Sequence, residues 1–507
     1  MFGTRVSKVC ECERVGEADD LCAAMAQTTL RARVLVFAVT FASYAFFHAG
    51  RKAFSAIKPV FVDTTLYPPT GYLEGGGGLS QNEMLGLLDT LFLFCYSAGL
   101  YGSGYLADRH DLRVVSSIGL ALSAALTALF GLGGLVGLRS LWYFALLWAL
   151  NGLAQSTGWP ANVAIMGNWF EGEGRGAVFG VWTANASFGN IIGTGFILLL
   201  LHLVGDEEGW KLSLLFAGGL MLCQAVLVAC FLRPHPPSEA LLDGSSPGAS
   251  AAAPLAAATE EETSNLYNPA HWANTESTPP AKAVTLLGAL LIPGVLPYAL
   301  CYACLKGVNY AFFFWLPTLL SGTGMSSTQS DLFSMLFDAG QILGGTLSGH
   351  ASDKMSSRAP LTAAMLLASA PVAWFTQGRS TAGLVPMLLL LGGLLGGPAN
   401  MISGCISADL GQHPSLKGNE RAIATVTGVI DGTGSLGAAA AQYVVGALAP
   451  PASACGGPGQ PPCDWSAVFT FLLVMLCVAA LCLSPMLVAP LRAAVRRPSL
   501  DAPINAA

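Results

Sequence analysis

Apolar residues recur along the chain in windows of about 20 or more, the length needed to cross a hydrocarbon core of about 30 Å. These windows lie at 34–61, 85–107, 112–137, 141–167, 176–203, 211–232, 290–320, 331–351, 359–378, 384–408, 421–448 and 466–489. The twelve form two sets of six around residues 233–283, where the sequence turns to Pro, Ser, Ala and Thr with the run Glu260-Glu261-Glu262. That stretch is too polar and irregular to bury a core and reads as a disordered cytoplasmic linker. The pattern predicts an all-α membrane protein with a tail at 1–33, a six-helix half at 34–232, the linker, a second half at 284–489 and a tail at 490–507. Composition agrees: 11% of residues are charged and 53% hydrophobic, against roughly 25% charged in a soluble domain.

The two halves repeat one another in parallel. G-Y-L-A-D-R-H-D-L-R at Gly104 to Arg113 returns as G-H-A-S-D-K-M-S-S-R at Gly349 to Arg358, each copy following an apolar run. G-W-P-A-N at Gly158 to Asn162 pairs with G-G-P-A-N at Gly396 to Asn400, and Arg175 and Asn185 stand as Arg421 and Asp431 do. Internal duplication of this kind in a membrane chain marks a carrier. The loop 63–83, with Pro68-Pro69 and Gly75 to Gly78, is the main departure in length and is expected to be flexible.

Charge fixes the expected orientation. Of the 24 Lys and Arg residues, only Arg139, Lys211 and Arg379 fall in odd-numbered loops, while most of the others fall in the tails and even-numbered loops. Positive charge is retained on the cytoplasmic side, so both termini are predicted to be cytoplasmic. Residues 1–33 carry Glu11, Glu13, Glu17, Asp19 and Asp20, which fits a cytoplasmic tail and not a cleaved leader. The chain end shows no retrieval signal, yet an endomembrane such as the endoplasmic reticulum is favoured over the plasma membrane. Cys301 and Cys304 sit on an apolar span with no second pair near them, so no metal site is expected. Cys455 and Cys463 share the last non-cytoplasmic loop, where an oxidising compartment would allow a disulfide; bonded and free states both stay open.

Four basic residues break the apolar pattern, and they carry the candidate chemistry. Val34 to Phe47 is too short to cross, so the first helix must continue through His48, Arg51 and Lys52. Tyr44, His48, Arg51, Ser55 and Lys58 then share one helical face. In the seventh span, with a helix start expected at Pro293, Tyr302, Lys306, Asn309 and Phe313 repeat that spacing. A Lys or Arg at span centre costs about 2.5–3.5 kcal/mol on insertion scales, a cost that a water-filled cavity between the halves would relieve. Such a cavity suits phosphate, because Arg offers a bidentate fork and Lys a compact charge. The competing reading is simple pairing with Asp89, Asp338 or Asp431, and for Lys52 and Lys58 snorkelling. Asn151, Gln155 and Asn162 in the fourth span, with Asn185, Asn400 and Asp431, add polar groups that serve either a ligand or the helix contacts. Trp159, Trp182, Tyr310 and Trp315 are aromatic candidates for stacking on a sugar or for packing. Asp108, Arg109 and Arg113, with Asp353, Lys354 and Arg358, are expected to hold the cytoplasmic side shut as a gate. Nucleotide, zinc-protease and serine-hydrolase signatures are absent, so no catalytic residue or cofactor is assigned and gradients must drive transport.

Taken together, H-A-G-R-K at His48 to Lys52, the run from L-W-Y-F through N-G-L-A-Q-S-T-G-W-P to G-N-W-F ending at Phe170, L-F-D-A-G at Leu336 to Gly340, and S-A-D-L-G, S-L-K-G-N and I-D-G-T-G-S-L-G-A between Ser407 and Ala438 carry a resemblance. The chain resembles the organophosphate:phosphate antiporters of the major facilitator superfamily, and among them the eukaryotic sugar-phosphate exchangers and plant glycerol-3-phosphate transporter homologues. The resemblance implies the major facilitator fold, and exchange of a phosphorylated sugar or glycerol 3-phosphate for inorganic phosphate with Arg51 on the phosphoryl group. Bacterial relatives have a second arginine at the position of Asn309; here Lys306, one turn earlier, resembles the lysine of the eukaryotic branch. Relatives also have a histidine near Asn185, which this chain lacks. The expected substrate site is therefore Arg51, Lys52, Lys306, Tyr44, His48, Asn151, Gln155, Asn162, Asn185, Asn309 and Asp431, in a monomer whose partners are a small phosphorylated metabolite and phosphate, not nucleic acid. Proton-coupled symport of another organic anion, and a phosphate sensor that does not transport, are the alternatives.

Overall fold

The computed structural model describes residues 17–62, 66–67, 71–79, 81–171, 174–236, 284–321, 325, 327–377, 381–416, 422–448 and 464–488. Most of the 233–283 stretch, the ends of the chain, and Cys455, Cys463, Lys417 and Arg421 lie outside these residues, as do the side chains of Ser55 and Lys58.

The helices of the first half are α1 (Glu17–Val62), α2 (Gln81–Ala107), α3 (Leu112–Leu135), α4 (Leu141–Gln155), α5 (Gly158–Trp169), α6 (Arg175–Trp182), α7 (Asn185–Val204) and α8 (Asp206–Phe231). Those of the second are α9 (Leu286–Leu290), α10 (Val295–Ser321), α11 (Ser327–Ser352), α12 (Ala359–Phe375), α13 (Thr381–Met401), α14 (Ser407–Leu410), α15 (Ile423–Leu448) and α16 (Ser466–Cys482). Among the described residues they make twelve passes, because α4–α5, α6–α7 and α13–α14 are each one interrupted pass and α9, five residues long, is too short to be one. Eight passes are long and apolar enough to cross a membrane by composition alone, and α12 is a shorter apolar helix. Helix α1 starts at Glu17, well inside the stretch read as a tail, and α10 starts at Val295 after Gly294 (φ 100°), so Pro293 lies in the preceding turn.

The surface is inverted relative to a soluble protein. Leu203, Leu347 and Leu291 are 67%, 69% and 76% exposed, while Asn151, Gln155, Asn162 and Asn185 are fully buried. Apolar side chains face outward because hydrocarbon is their solvent, and polar ones turn inward to find partners. The break between α4 and α5 follows the same accounting. Pro160 has no N–H for the Ser156 carbonyl one turn back, and Ser103 Oγ on α2 donates to that carbonyl at 2.8 Å instead.

The loop expected to be flexible is pinned over 71–79. Glu74 N donates to Arg139 O and Leu141 N to Glu74 O, each at 2.8 Å, and Tyr72 Oη donates to Leu138 O at 2.6 Å. Gly75, Gly77 and Gly78 adopt positive φ, so glycine here serves a tight turn and not freedom of movement.

At one end of the bundle the halves are latched symmetrically. Asp108 accepts Ala424 N at 3.0 Å and Thr425 N at 2.6 Å, capping α15 of the opposite half. Its counterpart Asp353 accepts Gly176 N at 2.7 Å and Ala177 N at 2.8 Å, capping α6. A carboxylate at a helix N-terminus satisfies free N–H groups and the positive end of the dipole, worth about 0.3–2 kcal/mol each. The glycines of the repeated motif make the approach possible. A Cβ on Gly104 would lie 2.5 Å from Ala424 O, and one on Gly349 would collide with Gly176 O. An ion-pair cluster adds to the closure: Arg175 meets Asp409 at 2.6 Å, and Arg358 meets Asp409 at 3.1 Å and Asp353 at 3.3 Å.

Gly349→Val should push α11 from α6 and open this end, since overpacking a tight contact costs about 1–3 kcal/mol. Thiol labelling of a Thr425→Cys reporter, with the native cysteines replaced, is expected to rise severalfold in the Gly349→Val background. Unchanged labelling would show that the closure does not depend on this contact.

Candidate functional site

Helix α1 must carry a guanidinium into the bundle because its apolar stretch is too short, and the structure shows what receives it. Arg51 is 6% exposed. Its Nε and Nη2 donate to Gln155 Oε1 at 3.2 and 3.1 Å, and Nη1 donates to Tyr310 Oη of the opposite half at 3.1 Å. The guanidinium also lies over the rings of Tyr96 and Phe92, 4.6 and 5.2 Å from their centroids. Among the described residues no carboxylate lies within ion-pair distance of Arg51. Neutral amide, phenol and ring faces hold it in place while leaving its charge uncancelled.

Lys306 is treated differently. Its Nζ donates to Asp431 Oδ1 at 2.7 Å and to Ser435 Oγ at 2.8 Å, and the rings of Tyr96, Tyr302 and Tyr310 surround it at 5.4–5.6 Å. The pairing with Asp431 that stood as the competing reading is therefore present. It sits beside Arg51 and not away from it, because Tyr96 touches both: its hydroxyl is 3.4 Å from Asp431 Oδ2 and 3.4 Å from the Tyr44 hydroxyl. Two cations and one carboxylate thus meet at the seam between the halves.

A second polar row runs one turn away. His48 Nδ1 is 3.1 Å from Asn190 Oδ1; Asn190 Nδ2 and Gln341 Nε2 each donate to Asp338 Oδ1 at 3.4 Å; Asn309 Nδ2 donates to Gln341 Oε1 at 3.0 Å. Lys52 does not snorkel. Its Nζ lies over the Phe313 ring of the opposite half at 4.0 Å, with Asp338 among its electrostatic neighbours.

Other expected residues divide. Asn151 takes Ser123 Oγ at 2.6 Å, donates to Thr127 and supports Gln155, so it braces the site from behind. The amides of Asn162 and Asn185 are buried and have no hydrogen-bond partner among the described residues. Trp159 stacks on Trp182 and donates to Ser403 O, and Trp315 donates to Gln442; both are packing groups, while Tyr310 contacts Arg51 directly. Of the residues expected to gate, Asp108 and Asp353 join the halves, Arg358 pairs within its own half with Asp353 and with Asp409, which Arg175 reaches from the other half, and Arg109 lies over Tyr105 and reaches Val284 O. Arg113 bonds only its own loop through Asp111, and the exposed Lys354 makes no ion pair among the described residues.

This arrangement has recognisable relatives. A profile of the Major Facilitator Superfamily matches residues 40–442. Sugar phosphate exchanger 3 of Mus musculus is 38% identical, over 91% of this chain and 94% of its own. The chain belongs to the major facilitator superfamily. Its similarity extends to a putative glycerol-3-phosphate transporter of Arabidopsis thaliana, 34% identical over 92% of this chain and 90% of that protein, and to a glucose-6-phosphate exchanger of Danio rerio, 34% identical over 89% and 91%. Among solved structures the transporter FucP in its outward conformation superposes with a TM-score of 0.58 at 14% identity, covering 89% of this chain and 98% of that one. That likeness concerns the fold alone.

Residues of this superfamily member that sequence reading passed over are Tyr96, Asn190, Gln341, Asp409 and Gln412, the last of which accepts Arg175 Nη2 at 2.6 Å. Tyr96 lies in an apolar span with no periodic polar face to flag it. Asp409 had a signal, since S-A-D-L-G stood out as a motif, but its pairing with Arg175 and Arg358 depends on folding.

Breaking the central ion pair should be costly in isolation. Asp431→Asn leaves a buried ammonium without its counter-charge, an effect of about 3–5 kcal/mol. Lys306→Met with Asp431→Asn should recover much of that loss. Thermal unfolding in detergent checks it; additive effects would show that the pair does not couple.

Proposed function

We propose that this protein exchanges a phosphorylated sugar or glycerol 3-phosphate for inorganic phosphate by alternating access. The observation that supports it most is the buried guanidinium of Arg51, held by neutral groups at the seam of two halves with its charge uncompensated. A phosphoryl dianion fits that deficit, because the planar fork of Arg51 matches two phosphate oxygens and Lys306 stands beside it as a point charge. The relatives, named as sugar phosphate exchangers and glycerol-3-phosphate transporters, point to the same cargo.

In this reading Arg51 binds the phosphoryl group from α1 and Lys306 turns from Asp431 toward it from α10, so that one anion bridges both halves. Tyr44, Tyr96 and Tyr310 line the contact with hydroxyls, and Gln155, braced by Asn151, keeps the guanidinium aimed. Without an anion, reorientation would carry an uncancelled charge through a dry passage. Bound phosphate or phosphate ester removes that barrier, which makes the cycle an obligatory exchange. The distribution of Lys and Arg supports a cytoplasmic position for the Asp108 and Asp353 end and for both chain ends. The closed latch then belongs to a state facing away from the cytoplasm, in an endomembrane.

The test is counterflow in proteoliposomes. Labelled glucose 6-phosphate or glycerol 3-phosphate should enter phosphate-loaded vesicles at least about tenfold faster than vesicles without phosphate. Arg51→Gln should abolish this, and Arg51→Lys should retain no more than about a tenth of it, since charge without the fork is insufficient. Equal uptake with and without internal phosphate would refute exchange.

A further inference from the structure

Resting on the exchange reading, we infer that the row His48–Asn190–Asp338–Gln341–Asn309 is a second subsite that takes the uncharged polyol portion of the substrate, and that Asp338 excludes phosphate esters carrying a carboxylate. The row borrows from four helices, α1 and α7 of one half and α10 and α11 of the other. It is tied to the phosphoryl site through shared helices: His48 is one turn from Arg51 on α1, and Asn309 one turn from Lys306 on α10. A ligand whose phosphoryl group sits on Arg51 therefore extends its organic part along this row.

The chemistry of the row suits hydroxyl groups. Amides and an imidazole each offer a donor and an acceptor, and hydroxyls need both. Asp338 is 6% exposed; among the described residues its Oδ1 receives two amide donors, each at 3.4 Å, with the Ser187 hydroxyl and the Lys52 ammonium also acting on the carboxylate. Contacts of that length are at the weak limit of hydrogen bonding, so a sugar or glycerol hydroxyl at ordinary distance would replace them with gain. The direct fixing of Asp431 by Lys306 at 2.7 Å is a contrast within the same bundle.

The same carboxylate discriminates by charge. The ammonium of Lys52 is engaged with the Phe313 face at 4.0 Å, and the nearer bonds to Asp338 come from neutral amides. A substrate carboxylate in this row would meet a like charge in a poorly screened interior. Phosphate esters of uncharged polyols, such as glycerol 3-phosphate, are accepted; those that also carry a carboxylate, such as 3-phosphoglycerate, are turned away. Specificity here comes from a repulsive element as much as from an attractive one.

Wild type and Asp338→Asn, reconstituted full length in phosphate-loaded vesicles, decide the matter through initial uptake of labelled glycerol 3-phosphate and 3-phosphoglycerate. Each rate is divided by the labelled-phosphate uptake of the same preparation. Wild type is expected to prefer glycerol 3-phosphate by at least about tenfold, and Asp338→Asn to narrow that preference at least about fivefold by gaining 3-phosphoglycerate. Gln341→Ala serves if Asp338→Asn does not assemble: its glycerol 3-phosphate rate should fall at least about fivefold relative to its own phosphate rate, whereas a general packing defect lowers both together. Phosphate-for-phosphate exchange in wild type separates the two claims. Its absence overturns the exchange reading and the subsite with it. Its presence, with an unaltered preference in Asp338→Asn or an unaltered ratio in Gln341→Ala, overturns the subsite alone.

Discussion

Positive charge in a low-dielectric interior is the constraint around which this bundle is organised. Arg51 and Lys306 enter from opposite halves, and the structure solves their burial in two ways. Lys306 is matched by Asp431 at 2.7 Å, while Arg51 is surrounded by a phenol, an amide and aromatic faces that orient it without cancelling its charge. Full pairing of both would leave no reason for an anion to enter, and pairing of neither would burden the fold by several kcal/mol per ion. The mixed solution limits the cost of burial and, in the exchange reading proposed above, leaves the centre able to attract an anion.

The latch at the Asp108 and Asp353 end uses the opposite sign and a different device. Each carboxylate caps a helix of the other half, and glycines at the crossing bring backbones into contact. Such contacts are individually modest, which suits the separable gate that the proposed exchange cycle requires. The Arg175–Asp409–Arg358 cluster is partly exposed at Asp409, so water can replace its bonds when the end opens. Strength is placed within each half and reversibility between them.

Much of the fold was legible because lipid imposes a simple rule: stretches of about 20 apolar residues cross, and interruptions in them need a reason. The duplicated motif marks both halves of the latch in the sequence, at Asp108 and Asp353. Yet its members were not equivalent. Asp108 and Asp353 have the same task, whereas Arg113 turns to Asp111 in its own loop and Arg358 joins the ion-pair cluster. Repetition in sequence conveys ancestry of position, and side-chain partners are decided by what the facing helix presents. The glycine-rich loop makes the same point: composition suggested freedom, but Glu74 and Tyr72 tie it to the Leu138 to Leu141 segment.

By itself the sequence determined the number of crossings, their grouping by six, the side on which positive charge collects, and the burial of Arg51 and Lys306, because each follows from local hydrophobicity and helical period. Only the tertiary structure decided that Tyr96 and Tyr310 join the cations across the seam, that Asp431 and not Asp338 neutralises Lys306, and that Asn190 and Gln341 meet at Asp338. Those partners come from helices far apart in the chain, and the angle at which two helices face one another is a property of their packing, which no window of sequence contains.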